Sequence, residues 1–245
     1  MLGRSGNPTL NDKTFDRHGS YSGSGRMTIN GTVNKTFITL AVLLGAAFAV
    51  WNQYFKGLDV VPYAIGGAIG GLICALVISF APRTAPFLVP VYAALEGAFL
   101  GALSAQYEYA YGGITMQAAL ITVCVFFALL AAYKTRIIRA TENFKLGVFA
   151  ATAGIALVYL ASFVLGLFGV NVPYLHDNSL IGIGISLVIV AVAALNLVLD
   201  FDFIEQGAER GAPKYMEWYG AFGLVVTLVW LYVEILRLLS KLRSR

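Results

Sequence analysis

Seven apolar segments follow one another along this chain, each close to the roughly 20 residues that a helix needs to cross a bilayer. They cover residues 36–54, 60–80, 86–107, 114–133, 146–169, 179–199 and 217–239. Little else in the fold is left open by such a pattern. Composition points the same way: 58% of the 245 residues are hydrophobic and 12% are charged, against roughly a quarter charged in soluble domains. The expected fold is an all-α integral membrane protein with seven transmembrane helices, residues 35–245 forming one transmembrane domain.

Residues 1–34 are rich in Gly, Ser, Asn and Thr with scattered charges. Such a stretch buries too little apolar surface to fold alone and is expected to be a disordered tail. Ala47-Phe48-Ala49 resembles a signal-peptide cleavage site, but the leader before this segment is long and six more segments follow, so a retained first helix is expected. Basic residues set the orientation. Arg4, Lys13, Arg17, Arg26 and Lys35 lie in the tail. Arg83 follows segment two, Lys134, Arg136, Arg139 and Lys145 follow segment four, and Arg210 and Lys214 follow segment six. The alternate loops carry only Lys56. The N-terminus is therefore expected in the cytoplasm. Segment seven breaks the pattern, because one more crossing puts Lys241, Arg243 and Arg245 outside. It either spans regardless or enters and returns; the absence of a Gly–Pro break between Trp218 and Leu239 favours spanning.

Several function classes drop out. A net charge of +4, with charges confined to loops and ends, reads as membrane topology rather than nucleic-acid binding. Cys74 and Cys124 lie within apolar runs and His18 and His176 lack ligand-spaced partners, so no metal site is expected. Asn30 and Asn34 open glycosylation-type triplets in a tail read as cytoplasmic. Protease, nucleotide-binding and dinucleotide-binding motifs are missing, so the chain is expected not to be an enzyme and to need no cofactor. The glycines of Gly66-Gly67-Ala68-Ile69-Gly70-Gly71, with Gly97 and Gly101, have the spacing that lets helices approach closely. Packing within the bundle and dimerisation both fit.

The intramembrane charges are the main clues to function. Glu96 lies within the apolar run from Phe87 to Ala105, at mid-depth, where a charged carboxylate costs about 2.5 kcal/mol or more. Asp200 and Asp202 end segment six. At about 100° per residue they point to nearly opposite sides of a helix, so at most one faces the bundle interior; the alternative is a solvated helix end. Glu234 and Arg237 are three apart on segment seven and can pair along one face. Glu234 lies about 25 Å beyond Glu217 along the axis, out of reach of Asp200. Thr227 sits at the depth of Glu96.

The stretch Asp200-Phe201-Asp202-Phe203-Ile204, a short loop, and a last segment ending Glu234-Ile235-Leu236-Arg237-Leu238-Leu239 resemble the Bax inhibitor-1/YccA-like family of transmembrane proteins, in a bacterial branch. Tyr92-Ala93-Ala94-Leu95-Glu96-Gly97-Ala98-Phe99-Leu100-Gly101 resembles that family's third helix. The resemblance implies six helices around a central seventh, in a bacterial inner membrane. It further implies a pH-sensitive calcium leak governed by an aspartate pair on helices six and seven, or a modulator of stress and membrane proteolysis. Asp200 matches the first aspartate. The second position falls on Thr227, which cannot share a proton as a carboxylate can. Arg83 matches the basic residue beside the pair more loosely. Glu96 can compensate, lining an acidic path with Asp200; the alternative is a protonated Glu96 hydrogen-bonded in a packed bundle.

The expected function is thus a cation leak, with calcium as the transported ion, controlled by buried carboxylates. A non-conducting regulator of a membrane protease or another membrane complex is the alternative, with the tail and the loop 134–145 as its contact surfaces. The bilayer is the one partner that composition fixes; oligomeric state stays open.

Overall fold

The structure, a computed structural model, describes residues 25–169 and 177–244. It contains α1 (Ile29–Phe55), α2 (Val61–Phe80), a 3-10 turn (Pro82–Thr84), α3 (Ala85–Ala110), α4 (Ile114–Lys134), α5 (Glu142–Leu167), α6 (Leu180–Glu209) and α7 (Met216–Arg243). All seven numbered helices are long and apolar enough to cross a membrane. Large side chains such as Phe48, Phe80, Phe87 and Leu157 are exposed, as expected of helices apolar on every face. α7 is the most enclosed: half of its most apolar window is buried, against 6% for α5.

The expected segments recur with different ends. α1 begins at Ile29, so residues 29–34, read as tail, belong to a helix; residues 1–24, His18 among them, lie outside the described residues. The polar start of α1 is helical because its hydroxyls are satisfied locally. Thr28 caps it, its Oγ1 accepting from Gly31 N at 3.0 Å. Thr32, Thr36 and Thr39 donate to carbonyls one turn back at 3.0, 2.9 and 2.7 Å. α5 likewise starts early, at Glu142, behind a Thr141 cap. Lys145, read as part of a basic loop, is buried in its first turn. α6 continues to Glu209 rather than ending near residue 199. Its charged end carries an i,i+4 ladder in which Gln206 Nε2 donates to Asp202 Oδ2 at 2.5 Å and Arg210 Nη2 to Gln206 Oε1 at 2.8 Å.

The helices form two compact units, one containing residues 25–115 and 202–226, the other 116–201 and 227–244. In the first, α3 packs along α1 and α2. A Cβ at Gly97 would run into Leu43 O of α1, one at Gly101 into Ala47 O, and one at Gly67 would lie 2.5 Å from Leu95 O. These glycines thus serve contact within the chain, where helix backbones touch. Gly66, by contrast, has nothing within 4 Å. The segment before α1 is tied to the α6–α7 loop by an antiparallel bridge between Arg26 and Pro213. Met27 N donates to Ala212 O at 2.7 Å, and Lys214 N to Gly25 O at 2.8 Å. Gly211, with φ of +65°, closes the turn after α6.

In the second unit, Phe201 of α6 meets Phe126 and Tyr133 of α4, ring centroids 5.6 and 5.9 Å away. Asn196 Nδ2 donates to Thr152 Oγ1 of α5 at 2.8 Å. Near the end of α7, Lys241 Nζ donates to Gly182 O at 3.2 Å and Ser186 Oγ at 2.9 Å, in the first turns of α6. Arg243 Nη2 donates to Gln117 Oε1 of α4 at 3.0 Å. α7 is therefore one unbroken helix returning to the level where α6 begins, and does not enter and turn back. The contacts also account for its basic end: Lys241 and Arg243 act as donors to neighbouring helices, a use that loop-charge counting does not register. Arg245 lies outside the described residues.

Candidate functional site: ionisable groups within the helices

The first unit holds a charged cluster that sequence reasoning passed over. Glu217, in the first turn of α7, is 2% exposed. Its Oε1 accepts from Thr28 N at 3.0 Å and Thr28 Oγ1 at 2.9 Å. Its Oε2 pairs with Lys35 of α1, whose Nζ also lies 5.7 Å from the centroid of the Trp218 ring. Donors thus surround this buried acid on both oxygens, as a buried carboxylate requires. The available signal was an acidic residue opening segment seven and a lysine immediately before segment one, but nothing in the sequence pairs them.

Glu96 is half-buried on α3. Its carboxylate reaches α2 at Gly71, where an added Cβ would stand 2.8 Å from Glu96 Oε2 and 4.0 Å from the Tyr92 ring. Tyr92 is buried and packs edge-on against Phe222 of α7, centroids 5.0 Å apart. Arg83 is exposed in the 3-10 turn and Asp202 is half-buried with Gln206 as its donor.

In the second unit, Asp200 is 1% exposed and Thr227 3% exposed. The solvated-end alternative therefore fails for Asp200, while Asp202 takes the less buried side, as their angular separation requires. Glu234, also buried, is paired as expected: Arg237 Nη1 donates to its Oε1 and Oε2 at 3.1 and 3.2 Å. The structure adds Tyr159 of α5. Its hydroxyl donates to Glu234 Oε1 at 2.9 Å and accepts from Arg237 Nη1 at 2.5 Å, and its ring lies 5.3 Å from the guanidinium. Asp200, Thr227, Glu234 and Arg237 belong to this unit, whereas Glu96, Arg83 and Asp202 belong to the other.

Seven membrane-capable helices carrying enclosed acids define a polytopic membrane protein with ionisable groups inside its spans. Such groups mark ion or proton pathways or structural pairs. The chain belongs to the Bax inhibitor 1 like family, whose model matches residues 7–244, nearly its whole length. No curated protein matches the chain significantly.

Proposed function

We propose that this protein is a cation leak pathway in a bacterial inner membrane, with its N-terminus in the cytoplasm and calcium as the transported ion, whose conduction follows protonation of Asp200 and Glu96. The observation that carries this reading is the burial of Asp200, 1% exposed on an apolar helix. A carboxylate so placed exchanges its proton only at a cost that the surrounding structure sets. Thr227, at the position matching the family's second aspartate, has no proton to share in that range. The switch therefore rests on Asp200 and Glu96 as separate sites rather than on a two-aspartate latch. A few carboxylates hold calcium weakly, which suits passage better than storage. No catalytic step and no cofactor belong to this reading. The test is calcium flux in proteoliposomes across pH for the wild type, Asp200→Asn and Glu96→Gln. Loss of pH dependence in either variant supports it, and unchanged flux in both removes it.

A second reading, a non-conducting regulator of a membrane protease or other membrane complex, is favoured by the exposed basic residues Lys134, Arg136 and Arg139 between α4 and α5. A chain lacking residues 1–24 separates the two: a regulator loses its partner on pull-down, whereas a leak still conducts.

A further inference from the structure

The seat of the Glu96 carboxylate is a gap in α2. We infer that Gly71 is a positioning residue for Glu96: the missing side chain at Gly71 leaves the space in which the carboxylate lies against the backbone of α2. The inference rests on the reading of Glu96 as a proton site for its functional meaning, but its geometry stands alone.

Two glycines one turn apart on α2 face α3 and do different things. At Gly67 an added Cβ would meet backbone, Leu95 O at 2.5 Å and Phe99 N at 2.8 Å. Neither atom can move without moving α3, so Gly67 sets how closely the helices approach. At Gly71 the nearest atom is Glu96 Oε2 at 2.8 Å, and the next, Glu96 N, is 4.0 Å away. What fills this gap is the end of a flexible side chain, so a methyl there displaces the carboxylate and leaves the helices in place. Among the described residues the Glu96 carboxylate accepts no N–H or O–H bond. A glycine Cα–H is a weak donor to an oxygen acceptor, and a methyl in its place pushes the carboxylate away.

Charges elsewhere do not supply this seat. On α2 the titratable groups are Tyr63, about two turns before Gly71, and Cys74, about one turn beyond it. On α3 the phenol of Tyr92 is the titratable group one turn from Glu96. The charged groups that α1 and α7 bring to the same unit near their starts, Lys35 and Glu217, are committed to each other.

The test uses a hydrophobic carbodiimide on the full chain in proteoliposomes, read by peptide mass mapping. A protonated carboxyl adds across the reagent's C=N bond, its proton passing to nitrogen, and the O-acylisourea rearranges to a stable N-acylurea; no other reactant is consumed. Glu96 should label, and Glu96→Gln should abolish the adduct. In Gly71→Ala the pH profile of labelling should be displaced and the rate at neutral pH should rise about threefold, the equivalent of half a pH unit, with little change in melting temperature. Gly67→Ala should lower the melting temperature and keep the pH profile. Gly66→Ala, which adds a methyl in open space, should change neither. The inference is overturned if Glu96 does not label, or if Gly71→Ala labels with the wild-type profile. If the profile moves in Gly71→Ala while calcium flux is unaffected by Glu96→Gln, the seat stands and the channel reading loses Glu96.

Discussion

The carboxylate of Glu217, in the first turn of α7, lies over Gly31 in the first turn of α1, on the spot where any side chain at Gly31 would have to go. Unlike the acid beside Gly71, this one is pinned, accepting from Thr28 N, Thr28 Oγ1 and Lys35. Gly31→Ala should therefore destabilise the protein by about 2 kcal/mol, in the range of overpacking. In a Glu217→Ala background the same substitution should cost less than about 0.5 kcal/mol. Thermal unfolding in detergent of both singles and the double variant checks this coupling.

The Tyr159–Glu234–Arg237 cluster predicts a graded series. Arg237→Leu leaves a buried carboxylate without its cation and should cost about 3 kcal/mol. Tyr159→Phe removes one donor and should cost about 1 kcal/mol. Combining Arg237→Leu with Glu234→Gln should recover much of the loss, since no charge is then stranded. Equal losses for Arg237→Leu and the combination would refute this account.

Close backbone contact between α1 and α3 makes Gly97 and Gly101 intolerant of even a methyl. Gly97→Ala should cost about 1–3 kcal/mol, whereas Gly154→Ala on α5, where nothing lies within 4 Å, should be neutral or slightly stabilising. Melting temperatures of the two variants decide the point.

The return of α7 to the start of α6 predicts the side on which the chain leaves the membrane. A single cysteine at Ser244, in a Cys74→Ala, Cys124→Ala background, should react with a membrane-impermeant maleimide from the side that labels residue 178 and not from the side that labels residue 210. Labelling together with residue 210 would contradict a spanning α7.

Much of this was legible in the sequence because lipid imposes a simple rule: long apolar runs become helices. The seven spans, the Glu234–Arg237 pair and the opposed sides of Asp200 and Asp202 all follow from local spacing. What was not legible depends on which partners satisfy polar groups, some a turn away and others distant in sequence. Residues 29–34 look like tail because their polarity is neutralised only once Thr28 and the following threonines bond to the turns around them. Lys145 looks like loop charge until Thr141 starts α5 ahead of it. The Glu217–Lys35 pair and the addition of Tyr159 to the α7 ion pair join residues more than seventy positions apart, beyond any helical period. The hydrogen bonds of Lys241 to Gly182 and Ser186 of α6 are invisible to a count of loop charges.

If proton uptake by Asp200 and Glu96 governs ion passage, as proposed, calcium flux into proteoliposomes across pH registers it. Wild-type flux should change with pH, and Asp200→Asn, which keeps the side chain's shape but cannot ionise, should give flux nearly independent of pH, with Glu96→Gln flattening it in part. Flux with the same size and pH profile in the wild type and both variants would contradict the account.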